Sequence, residues 1–152
     1  MHCNEVVWHN FSMIAYQWAL NMMPCFDCTT LTLISMNVKD SFDCIKACYS
    51  CSAVCEYCAS ACLREEEVTM LTRCIELDRQ CAAMCRSAAE VMAIGGQHAD
   101  TLCQLCASLC DACAEECERH ADKMDHCREC AEECRKCAQE CRAFASVSQS
   151  VH

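Results

Sequence analysis

From Cys44 to Cys62 the core-type positions recur with gaps of 4, 3, 4, 3 and 4 residues, and a cysteine stands at each one. This is a heptad seam. Cys44, Cys51 and Cys58 take one core position and Cys48, Cys55 and Cys62 the other, where a bundle helix ordinarily carries Leu or Ile. On a strand these side chains would scatter over both faces. On a helix they stack in one stripe, a thiol about every 5 Å along the axis. The same 3/4 alternation returns at Cys103, Cys106, Cys110, Cys113 and Cys117, and again at Cys127, Cys130, Cys134, Cys137 and Cys141. A diluted copy lies between Glu66 and Ile94, where Cys74, Cys81 and Cys85 keep the register and Met70, Asp78, Ala88 and Met92 fall on the same stripe.

Four such segments predict four helices. The first opens at Asp40 or Ser41, both good N-cap residues, and runs to about Leu63. A charged turn, Arg64 to Glu67, reverses the chain into a second helix that reaches Ile94, where Gly95 and Gly96 supply the left-handed stop. His98 to Asp100 leads into the third helix. His120 to Asp125 makes the next turn, with Asp125 a candidate cap, and the fourth helix ends near Phe144. Connections this short force antiparallel neighbours, so the expected fold is all-α, an up-down-up-down four-helix bundle with a Cys-lined core. The expected organisation is an N-terminal extension over residues 1–38, the bundle over 39–145 and a polar, frayed tail over 146–152.

The extension reads differently. Trp8, Phe11, Ala15, Trp18 and Met22 recur at helical spacing, which predicts an additional amphipathic N-terminal helix from Glu5 to Met23, ended by Pro24. Cys25 and Cys28 form a Cys-x-x-Cys pair, and Thr29 to Asn37 reads as a connector. Cys3 carries no signal.

Composition narrows the function. Two Gly and one Pro in 152 residues argue against a loop-rich or all-β fold. A net charge of −10, with 12 basic residues scattered among 22 acids, excludes nucleic acid as the expected partner. No stretch reaches the ~18 uninterrupted apolar residues of a membrane span. The first 38 residues hold no Lys or Arg, hence no basic leader region, and a reducing cytoplasm is the expected compartment. There the 22 cysteines are not expected to serve as a disulfide scaffold. Cysteines at i and i+4 would also have to distort a regular helix to bridge.

Nineteen of the cysteines point at one axis. One or two buried thiols act as small hydrophobes, but nineteen on shared seams imply a chemistry that requires sulfur. Thiolates are soft ligands for Cu(I), Zn or iron–sulfur clusters. Structural zinc takes separate four-ligand cages, and a continuous stripe does not divide into them. Iron–sulfur ligation would leave most of these cysteines unused. Cu(I), which accepts bridging sulfurs, fits best. No nucleophile–base constellation is visible, so no enzyme is expected. The alternative is a general Zn/Cu detoxification buffer like a metallothionein, which the helical register disfavours.

Three of these stretches carry a resemblance: Cys44 through Cys62, TRCIELDRQCAAMC from Thr72 to Cys85, and the run from Cys103 to Cys141 with its His-containing turn. Over roughly residues 39 to 145 the chain resembles the cytosolic copper storage proteins. That resemblance implies many Cu(I) ions per bundle, a cytoplasmic location and a tetramer of bundles.

Other polar and soft groups join the candidate metal set. Asp78 faces the thiol column, as a copper ligand or as a hydrogen-bonded or Arg-paired carboxyl. His120 and His126, with Met70 and Met124, crowd the bundle end where the first and third helices finish. They are the expected mouth for copper, because imidazole and thioether release Cu(I) more readily than a thiolate cluster. Met84 and Met92 read as core packing, and His2, His9, His98 and His152 as solvent or packing residues.

Overall fold

The computed structural model describes the backbone of residues 28–149 and the side chains of residues 41–147. The helix expected from Glu5 to Met23, together with Cys3 and Cys25, lies outside the described residues. The chain divides into a unit of residues 1–35 and a unit of residues 36–152, and all side-chain geometry below belongs to the second. The described elements are α1 (Cys28–Cys62), a 3₁₀ turn (Val68–Leu71), α2 (Thr72–Ala93), α3 (Ala99–Glu118) and α4 (Asp125–Gln149). Among the described residues the fold is entirely helical. None of these helices is long and apolar enough to cross a membrane.

Several boundaries differ from those expected. The first helix begins at Cys28 rather than at Asp40 or Ser41, so Thr29 to Asn37 is helical and not a connector. That stretch holds neither Gly nor Pro, its β-branched residues cost only tenths of a kcal/mol each, and extending an existing helix avoids a new nucleus. The fourth helix runs through Phe144 to Gln149. Phe144 and Ala145 are buried, and nothing between them and Gln149 breaks a helix. Asp125 is the first residue of α4 and pairs with Arg128 within the first turn. Of the two glycines expected to supply the left-handed stop, Gly95 alone does so, with φ +66°; its N–H reaches the Met92 carbonyl at 3.0 Å, and the Gly96 N–H reaches that of Val91 at 2.8 Å.

The pairing of the helices follows from their sulfurs. Between α1 and α4, Cys44 meets Cys141 at 3.7 Å, Cys51 meets Cys134 at 3.7 Å and Cys58 meets Cys127 at 4.0 Å. Seven residues forward on one helix match seven back on the other, which is antiparallel packing in heptad register. Between α2 and α3, Cys74–Cys117, Cys81–Cys110 and Cys85–Cys106 are each 3.5 Å apart and also run antiparallel. Small residues let the backbones approach: Ala47, Ala59, Ala82, Ala107, Ala114 and Ala138 are all buried beside the thiols. Polar ties clamp the outside. Arg86 of α2 donates to Ser52 Oγ at 3.0 Å and Glu56 Oε1 at 3.2 Å on α1. Arg135 of α4 donates to Asp111 at 3.1 Å and Glu118 at 3.0 Å on α3.

Candidate metal centre

Heptad register delivers the thiols to the axis without exception. All nineteen cysteines from Cys44 to Cys141 are free thiols with 0% exposure. Their sulfurs gather into groups of four whose members lie within 4.8 Å of one another. Successive groups are Cys48, Cys106, Cys137 and Cys141, then Cys51, Cys81, Cys85 and Cys110, then Cys51, Cys55, Cys81 and Cys134. Further along come Cys55, Cys113, Cys130 and Cys134, and then Cys58, Cys62, Cys74 and Cys127. Cys51 and Cys81 belong to two of these groups, as do Cys55 and Cys134. A tetrahedral ion needs its own four ligands, so shared corners suit cations that accept two or three bridging sulfurs.

Packing thiols this closely couples their protons. S–H donors from their neighbours, Cys110 first for Cys81 and Cys106 first for Cys137, hold these two thiols well below the ordinary range. Cys48, Cys58 and Cys110 are pushed well above it, chiefly by hydrogen bonding with Cys106, Cys117 and Cys106 respectively, with burial adding to the effect. In such a cluster the first protons leave readily and the later ones are held, so a thiophilic cation drives loading by displacing them.

Asp78 lies within this column, 0% exposed. The thiols of Cys113, Cys130 and Cys117 donate to its Oδ1 at 3.1, 3.3 and 3.5 Å, and Cys74 Sγ lies 3.8 Å from Oδ2. Its partners are thiols and not an arginine. Burial first, then the sulfurs of Cys130 and Cys74, push its carboxyl up to about 9, so near neutrality it is a carboxylic acid.

At the end where α1 and α3 finish, His126 Nε2 is 3.5 Å from Cys62 Sγ, and its Nδ1 is 4.0 Å from Glu65 Oε1. His120 Nε2 lies 3.4 Å from Glu116 Oε1, and Met124 packs half-buried against the core. Met70 departs from the expected place. It sits in the 3₁₀ turn with 69% exposure, because that turn breaks the heptad phase and gives the buried position to Leu71. Glu116 escaped the sequence reading. It is buried and holds both His120 and, at 2.9 Å, Arg119. The available signal was its spacing, four residues before His120 on a single helix.

Residues 37–146 match the model of the Csp family, described as copper storage protein. Among solved structures, a cytosolic copper storage protein from Streptomyces lividans, solved during copper loading with five coppers, is 38% identical over 74% of this chain and 97% of that one, with a TM-score of 0.72. Apo copper storage protein 3 from Bacillus subtilis is 40% identical over 69% of this chain and 98% of its own, with a TM-score of 0.63. The Nmul_A1745 protein of Nitrosospira multiformis is 31% identical over 71% and 96%, with a TM-score of 0.59. No curated protein sequence matches. The sulfur-lined helices and the family match cover the same stretch, and this chain belongs to the copper storage protein family.

Proposed function

We propose that residues 39–145 store many Cu(I) ions along the bundle axis, bound by thiolates of the nineteen buried cysteines, in the cytoplasm and without catalysis. The observation that carries this reading is the sharing of Cys51, Cys81, Cys55 and Cys134 between the middle three four-thiol groups, with Cys106 of the first group 3.5 Å from Cys85 of the next, which makes this part of the column a series of bridging positions instead of separate cages. Relatives support it: the Streptomyces lividans protein has been solved loaded with 10 copper equivalents, and another copper storage protein in its Cu(I)-bound form. The tetramer implied by resemblance is part of the same proposal. His120, His126 and Met124 form the exchange mouth, where imidazole and thioether donors sit beside the first thiols and Glu65 and Glu116 hold the imidazoles in place. Asp78 acts as a neutral hydrogen-bond acceptor for four thiols before loading and as a ligand oxygen after it. X-ray absorption of the loaded protein tests the site. Sulfur-dominated coordination with copper–copper scattering is expected, whereas isolated copper centres without a metal neighbour would sink the reading.

A further inference from the structure

The opposite end of the bundle is not sealed. Where α2 turns into α3 and α1 meets the end of α4, a cavity of about 800 Å³ is lined by Ser41, Met92, Gly95, His98, Asp100 and Phe144. Met92 is the inner wall. Its thioether receives a hydrogen bond from the Cys103 thiol at 3.4 Å, and it is 6% exposed. The thiol column begins at the same end of the bundle: Cys141 lies 3.7 Å from Cys44 and 3.5 Å from Cys48, and Cys48 and Cys141 belong to the first four-thiol group. An imidazole therefore stands on the outer rim, a thioether at the neck and the thiol column inside. Besides packing in the core, Met92 has its sulfur in contact with a thiol.

We propose that this end is a second Cu(I) port, in which Met92 Sδ and Cys103 Sγ form an exchange site between the cavity and the column. The proposal rests on the storage reading. A thioether adds no negative charge and binds Cu(I) more weakly than a thiolate, so a copper held by one of each passes outward more readily than one bridged by thiolates. His98 receives it at the rim.

The test uses full-length protein, loaded anaerobically, with withdrawal followed by a bulky disulfonated bathocuproine chelator. Met92→Leu, which keeps the volume and removes the sulfur, is made alone and together with His120→Ala and His126→Ala. Two equal ports give a loss of about half the withdrawal rate for Met92→Leu alone, and a further loss in the combined variant. In parallel, the methyl resonance of Met92, in protein labelled with [methyl-¹³C]methionine, is followed during Cu(I) addition to the wild type. A slowed rate with a shifted methyl supports the port. An unchanged rate overturns it, whether or not the methyl moves, and so does a slowed rate with an unmoved methyl, which would make Met92 a packing residue. A wild type that takes up only a few coppers would instead overturn the storage reading itself.

Discussion

Asp78→Asn should make the stability of the reduced, metal-free bundle less sensitive to pH. The native carboxyl is pushed up to about 9 by burial, while in the unfolded chain it returns to its ordinary value of 3.8. Between those values the folded state holds a proton that the unfolded state has released. Stability contributed at this position is therefore complete below pH 4 and is lost as pH rises toward 9, at about 1.4 kcal/mol per unit. From pH 5 to pH 8 that is about 4 kcal/mol, a large part of a typical domain's total. Asn keeps the shape and the acceptor oxygen for Cys113, Cys117 and Cys130 but does not ionise. Urea unfolding of wild type and Asp78→Asn, anaerobic with reductant, at half-unit steps across this range gives the difference directly. The variant should gain on the wild type by roughly 4 kcal/mol between pH 5 and pH 8. Parallel stability curves for the two proteins would refute the reasoning.

The reduced apoprotein should give a strongly helical far-ultraviolet spectrum before any metal is added, because its seam of thiols and alanines is already closed; a random-coil spectrum would favour the metallothionein-like alternative. Replacing His120 and His126 together by Ala should slow Cu(I) uptake and release while the final capacity stays close to that of the wild type. Unchanged rates with reduced capacity would instead make the two histidines storage ligands. Arg135→Ala removes the tie from α4 to Asp111 and Glu118 and should cost about 1 kcal/mol in urea unfolding, since the side chain is partly exposed and screened. No measurable loss would make the network ornamental.

The heptad spacing made the bundle legible because a 3/4 repeat of one residue type has a single helical solution, and all nineteen seam cysteines are buried on the axis. Asp78 was legible for the same reason, but its partners were not, because Cys113, Cys117 and Cys130 approach it from other helices. Met70 was misplaced by extending the α2 stripe one turn too far, across a 3₁₀ segment whose tighter winding shifts the phase. The start of α1 at Cys28 was missed because Asp40 and Ser41 are good caps, yet nothing before them obliges the helix to stop. The contact of Met92 with Cys103 spans a loop and depends on the path of the Gly95–Gly96 turn, which spacing alone does not fix. The antiparallel topology puts His126 at the end where α1 finishes, but its contact with Cys62 at 3.5 Å was not legible from spacing.

Capacity separates a storage column from a set of discrete sites. Anaerobic titration of the reduced protein with Cu(I) against a competing chelator of known affinity counts the ions that the chain retains. Shared thiolates predict an endpoint approaching one copper per core cysteine, nineteen being buried here, with zinc binding more weakly and at lower stoichiometry. Saturation at only about one to four coppers per chain would mean discrete sites of the tetrahedral kind and would contradict storage along a continuous column.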